Sequence, residues 1–208
     1  MEIQNKLLQE AVEQLSSLPG IGKKTALRLV LNLLNREPQA VERFSKAFTE
    51  LKSNIKYCNT CFNISEQETC HICSNPIRDK ATVCVVQDIR DIMAIENTSQ
   101  YKGVYHVLGG IISPIDGIGP GNLNIQELIA RVESGAVNEI ILALNSSMEA
   151  ETTNFYLYKK LHSFDVTITS IARGIAIGDE LEYADEVSLG RSILHRTPYE
   201  NAMINNNQ

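Results

Sequence analysis

The sequence predicts an α+β chain of several domains: a helical head, a cysteine-rich segment, an α/β body around a parallel sheet, and a C-terminal helical segment. Three observations predict it. Apolar residues recur at helical spacing from Ile3 to Ile55. Four cysteines, Cys58, Cys61, Cys70 and Cys73, then crowd into sixteen residues. After them, short apolar runs alternate with amphipathic stretches, as in βαβ units. The boundaries that follow are 1–56, 57–78, 79–175 and 176–208.

Length and charge set the frame. A chain of 208 residues holds one or two sizeable cores, and its charged and apolar fractions are those of a soluble globular protein. The polar, acidic start MEIQNKLLQEAVEQ is neither a signal nor a transit peptide. The longest apolar run near a strand, Ile140 to Leu144, is far too short to span a bilayer. A cytoplasmic protein is expected, with no membrane partner. In that compartment the Asn-x-Ser/Thr triplets at Asn63, Asn97 and Asn145 carry no meaning. The net charge of −6 divides unevenly. Residues 1–56 carry nine Lys/Arg against six Glu, and the remainder ten against nineteen Asp/Glu. A basic head on an acidic chain suggests a locally aimed contact with an anion.

The four cysteines read Cys-x2-Cys, eight residues, Cys-x2-Cys. Each close pair turns two thiolates inward on one tight loop. Two such loops facing each other give the four-sulfur tetrahedron that Zn2+ prefers. Two disulfides would need an oxidising compartment. A redox sensor would need reactive thiols rather than metal-saturated ones. Phe62 to Thr69 is too short to hold a core of its own, so zinc must supply the folding free energy there. With all four positions closed by sulfur, one structural zinc per chain is expected, not a catalytic one.

In the head, Ile3, Leu7, Leu8, Ala11, Val12 and Leu15 mark an amphipathic helix from about Ile3 to Ser17. Leu18-Pro19-Gly20-Ile21-Gly22 breaks it, and a second helix runs from Lys23 to about Asn35. This stretch resembles the helix-hairpin-helix module of sequence-independent DNA-binding proteins, whose core is Pro-Gly-Ile-Gly-x-x-x-Ala. Gly20 and Gly22 let backbone N–H groups approach a phosphate, and the following helix adds its positive end. Lys23, Lys24 and Arg28 supply charge beside that spot. The near-match of Gly22-Lys23-Lys24-Thr25 to a P-loop fails. Ser17 stands where the first glycine is required, Lys24 where Ser or Thr must be, and no strand precedes it. The apolar residues of the second helix cover an arc of about 200° at the helical repeat, wider than a small core needs. Leu27, Leu31 and Leu34 are therefore expected to meet a second copy. A third helix starts at Pro38 and is expected to bury Val41, Phe44, Phe48, Leu51 and Ile55.

In the body, strands are expected at Ala81–Val86, Val104–Leu108, Glu139–Leu144 and Val166–Ile171. Helices are expected at Ile89–Glu96, Ile125–Glu133, Glu151–His162 and Ala184–Leu194, with a Gly/Pro loop at Gly109 to Asn122. Ligands of such a sheet sit beyond the strands' carboxyl ends, at Gln87-Asp88, Gly109-Gly110, Asn145 to Glu151 and Arg173-Gly174. The body resembles a Toprim domain, whose enzymes hold Mg2+ on a glutamate after the first strand and a later acidic cluster. Here Gln87, Asn145 and Ser147 stand where carboxylates would be needed, leaving Glu149, Glu151 and Asp88. Such a remnant does not build a two-metal site, and no enzyme is expected. The alternative is a Mg-dependent Toprim nuclease or topoisomerase-like enzyme.

Hairpin, four cysteines and Toprim-like body, in this order and length, resemble the RecR family of bacterial recombination mediators across essentially the whole chain. Further supporting stretches are Tyr105-His106-Val107-Leu108-Gly109-Gly110, Ser113 to Pro120, and Leu181-Glu182-Tyr183-Ala184-Asp185-Glu186. The chain departs from the family pattern at Gln87, where glutamate is typical, and at Lys23, where proline is. The resemblance implies a non-enzymatic, nucleoid-associated repair factor that works with RecO, and in some bacteria RecF, to load RecA on single-stranded DNA. It also implies a ring-shaped homotetramer that can encircle DNA, with C-terminal elements exchanged between neighbours. Cys84 is expected to be a small core residue and His71 to face solvent, while His106, His162 and His195 form no triad or metal spacing.

Overall fold

The computed structural model describes residues 4–172, 174, 175, 178, 180–196 and 198. Two compact units divide at Lys56/Tyr57. The first holds helices α1 (Lys6–Ser16), α2 (Lys23–Leu34) and α3 (Pro38–Asn54). α1 begins later than the expected Ile3, because the Asn5 side chain accepts the Leu8 N–H at 3.0 Å and caps the helix there; Ile3 itself lies outside the described residues. α1 and α2 close a small core on Val12, Ala26 and Val30, with Leu8, Ala11, Leu15, Ile21 and Leu27 packed around it.

The expected burial along α3 needs correction. None of its residues is buried, and Phe44, Phe48 and Leu51 are exposed, the two rings edge-on at 5.1 Å. The core between α1 and α2 fills without this helix. Along the wide arc of α2, Leu31 and Leu34 are 44% and 68% exposed, whereas Leu27, expected on the same outward face, is partly covered by the small core.

The second unit opens with the cysteine segment, whose β1 (Lys56–Tyr57) pairs with β2 (Ile64–Ser65) ahead of the short helix α4 (His71–Ser74). The body then runs β3 (Asp79–Val86), α5 (Ile89–Asn97), β4 (Gly103–Val107), α6 (Ile125–Glu133), β5 (Glu139–Leu142), α7 (Met148–Leu161), β6 (Thr167–Ser170) and α8 (Glu186–Leu194). The sheet has order β4-β3-β5-β6 and every pairing is parallel. Val83 to Val86 of central β3 are buried throughout, as a strand covered on both faces requires.

Two boundaries differ from the expected ones. β5 ends at Leu142, although the Ala143 N–H still donates to the Val85 carbonyl at 2.9 Å and Ala143 and Leu144 stay buried. α7 starts at Met148 rather than Glu151, because Ser147 accepts the Ala150 N–H on its Oγ and caps the helix. In the long loop, Ser113 bridges Ile118 and Pro120–Asn122 form a 3-10 turn. The C-terminal segment contributes a 3-10 turn, Leu181–Tyr183, and α8. Arg173 and most of the tail from Thr197 onward fall outside the described residues.

Candidate nucleic-acid interface and zinc centre

The head presents a hairpin. Gly20 takes φ +81°, a left-handed conformation that a side chain would strain, and its N–H-bearing turn leads into Gly22 at the N-cap of α2. No side chain caps α2, so the N–H groups of its first turn remain open to an outside acceptor. Gly20, Gly22, Lys23, Lys24 and Arg28 are all exposed. Among the described residues no carboxylate pairs with the three cations. Ala26, fully buried, is the small residue that lets α2 approach α1 behind them.

In the cysteine segment the backbone makes two knuckles. Phe62 N–H donates to the Cys58 carbonyl at 2.9 Å and Cys58 N–H to Asn63 at 2.8 Å, which closes the first loop with Phe62 at φ +62°. Cys70 stands at the N-cap of α4, and Ser74 N–H returns to its carbonyl at 3.0 Å. Asn59 N–H joins the loops through Glu68 at 2.8 Å. The four buried sulfurs lie within 4.8 Å of one another, with Cys61 and Cys70 at 3.5 Å and Cys70 N–H 3.3 Å from the Cys58 sulfur. A tetrahedron with Zn–S of about 2.3 Å needs sulfurs about 3.8 Å apart, so the set fits zinc.

Without a cation the same sulfurs compete for protons. Hydrogen bonds with Cys70 and Cys73, together with burial, drive the Cys61 thiol far up. Cys70, accepting from Cys61 and Cys73, is driven down. Only a bound cation lets all four be thiolates at once. The site holds one structural zinc.

This segment shares a core with the body. The four cysteines and Ile72 join the buried cluster of the sheet. Val107 N–H, on the open edge of β4, donates to the Cys61 carbonyl at 2.8 Å. Buried His106 lies edge-on to Phe62, its Nε2 2.7 Å from the Asn124 carbonyl, and burial pushes its pKa down to about 4, so it is a neutral core residue. Arg78, at the segment's exit, donates to Glu96, Tyr101 and Gly103, and Tyr105 Oη donates to Glu96 at 2.6 Å. Cys84 is buried and burial pushes its thiol up to about 12, which suits packing rather than redox chemistry. His71 is exposed, as expected.

At the strand ends, Asn145 Nδ2 donates to Gln87 Oε1 at 3.0 Å, so these two sequence-predicted positions do meet. Asn145 Oδ1 accepts the Ser147 N–H at 2.9 Å. Glu149 and Glu151 fall in the first turn of α7, where the positive end of the helix favours carboxylates. Asp88 caps α5 and pairs with Arg90, which holds its carboxyl below the usual range. Glu151 also lines a groove of 690 Å3 with Asn154, Phe155, Tyr158 and Arg191, a feature that no spacing in the sequence announces.

Known protein families match this chain in the same order as its parts. The matching models are the RecR helix-hairpin-helix at 8–52, the RecR zinc finger domain of four cysteines at 55–75, the Toprim domain at 81–172 and the RecR C-terminal region at 174–197. A protein of Flavobacterium johnsoniae named Recombination protein RecR is 57% identical over 206 residues, covering 99% of this chain and 100% of its own. The chain belongs to the RecR family. RecR proteins so named from Phocaeicola vulgatus (60% identical, covering 92% of this chain and 93% of the relative) and Porphyromonas gingivalis (55%, covering 96% of each) agree. Membership accounts for the order of hairpin, zinc centre and Toprim domain in one chain. Among the described residues no helix is long and apolar enough to cross a membrane.

Proposed function

We propose that this chain is a non-enzymatic, DNA-binding mediator of recombinational DNA repair. It works with RecO-type and RecF-type proteins to bring RecA onto single-stranded DNA, in the cytoplasm and at the nucleoid. The single observation that carries the reading is the hairpin, in which uncapped N–H groups of α2 share one exposed end of the head with Lys23, Lys24 and Arg28, which no carboxylate pairs among the described residues. That arrangement suits a phosphate and offers nothing aimed at base edges, so binding is independent of sequence. The relatives named Recombination protein RecR support the biological setting.

The protein acts as a homo-oligomer, a tetrameric ring closed through the heads and the C-terminal segments. Leu31 and Leu34 supply the apolar surface for the head contact. The Toprim match favours weighing a Mg-dependent nuclease, but Gln87 and Asn145 are amides bonded to each other.

Removing both charges in Lys24→Ala/Arg28→Ala tests the hairpin. If each cation neutralises one duplex phosphate, the slope of log affinity against log salt flattens by about 1.8. A fourfold rise in salt then costs the parent about twelvefold more affinity than the variant. An unchanged slope and affinity would place DNA elsewhere.

A further inference from the structure

Arg131, in the last turn of α6, is partly buried and its charge is unaccounted for. Its Nη1 donates to the Tyr105 carbonyl at 2.8 Å, and among the described residues no carboxylate pairs with it. Taking a guanidinium even partly out of water costs free energy unless an anion answers it. One carbonyl oxygen is a weak answer.

The edge of β4 shows where the anion lies. Alternate residues of a strand turn their backbone groups to the same edge. On the edge of β4 facing away from β3, the Tyr105 carbonyl accepts from Arg131. Two residues on, Val107 N–H donates to the Cys61 carbonyl at 2.8 Å. The guanidinium therefore stands beside the segment on which the four sulfurs converge. Burial pushes the Arg131 pKa down, while Cys73, Cys61 and Cys58 pull it back up. Zinc with four thiolates carries two surplus negative charges, here inside a buried cluster. The other guanidinium at this end of the body, Arg78, is already engaged by Glu96.

We propose that Arg131 is the counter-ion of the zinc–tetrathiolate centre, offsetting part of its surplus charge from the open edge of β4. It is a positioning residue, not a ligand. Through it, the hold on the metal depends on α6, an element more than fifty residues further along the chain than the last cysteine. Outer residues around metal ligands commonly change metal affinity by about 10- to 100-fold.

The test is zinc release from the full-length, zinc-loaded protein to a chromogenic chelator, comparing Arg131→Lys, Arg131→Gln and the parent. Gln keeps a donor for the Tyr105 carbonyl and loses the charge; Lys keeps the charge and loses the planar fork. Release about 10-fold faster in Gln, with Lys near the parent, is expected. Release from Gln at the parent rate would show that only the hydrogen bond matters and overturn the proposal, as would Lys and Gln releasing equally fast. Should Arg131→Gln fail to fold, Arg131→Lys decides alone: parent-like release sustains the proposal, and release 10-fold faster overturns it.

Discussion

Arg78→Met should destabilise the second unit in a way that depends on pH. Arg78 Nη1 donates to Glu96 Oε1 at 2.9 Å and to the Tyr101 and Gly103 carbonyls at 3.1 and 3.3 Å, while Nη2 meets Glu96 Oε2. The two side chains are 18% and 28% exposed. Stranding one partner of a fully buried pair costs about 3–5 kcal/mol. Solvent relieves part of that here, so about 2 kcal/mol is expected, or a fall in Tm of about 4–8 °C. Burial works against charging Glu96, but the hydrogen bonds from Arg78 and Tyr105 outweigh it and hold the carboxyl below its usual range. A lowered folded pKa stabilises above the ordinary carboxylate range and is lost as pH falls through the folded value. The gap between parent and variant should therefore be full near neutrality and close in acid. Calorimetry at several pH values measures it; a gap below about 1 °C at neutral pH, or one constant into acid, would refute the reasoning.

Other outcomes follow from the same geometry. Elemental analysis should find one zinc per chain, and Cys73→Ser or exhaustive chelation should melt the cysteine segment and loosen the β4 edge that Cys61 covers, read by amide exchange at Val107. Leu31→Glu should lower the mass measured by light scattering if the exposed Leu31–Leu34 face is a contact between heads; equal masses would remove that contact. Mg2+ should produce no cleavage of DNA, and Gln87→Glu should not create any, since Asn145 and Ser147 still supply no carboxylate; nicking lost in Glu149→Gln would favour the enzyme instead.

Legibility followed the range of the interactions. Elements with strong local signals, such as α6 and the turn from Leu18 to Gly22, were readable because the periodicity or the Pro/Gly turn residues sit within a few residues. The zinc ligands were readable for the same reason, since Cys-x2-Cys is a local constraint. The periodicity of α3 shows that a face is apolar, not that anything covers it; Phe48 is 59% exposed. The start of α7 is set by its cap, Ser147, whose Oγ meets the Ala150 N–H three residues on, a contact that the apolar periodicity of the helix does not announce. Arg131, Arg78 and the His106–Asn124 pair were invisible, since their partners lie 18 or more residues away. Gly103 belongs with them: a Cβ there would come within 2.2 Å of Tyr101 Oη and 2.6 Å of the Thr82 carbonyl, a close approach made only by the assembled sheet.

At the strand ends of the body, neutral side chains hold positions where carboxylates would repel. Carboxylates at positions 87 and 145 would repel at hydrogen-bonding distance and need a cation between them. The amides attract: Asn145 Nδ2 holds Gln87 at the end of β3, and Asn145 Oδ1 holds the Ser147 N–H. Ser147 in turn caps α7 through the Ala150 N–H. A continuous neutral path thus joins the end of β3 to the start of α7. Glu149 and Glu151 remain useful in that arrangement because the first turn of a helix favours negative charge. Gln87, Asn145 and Ser147 are therefore mutually consistent. Gln87→Glu alone would keep an acceptor for Asn145 Nδ2 and Asn145→Asp alone would remove that donor, and neither change rebuilds a metal site.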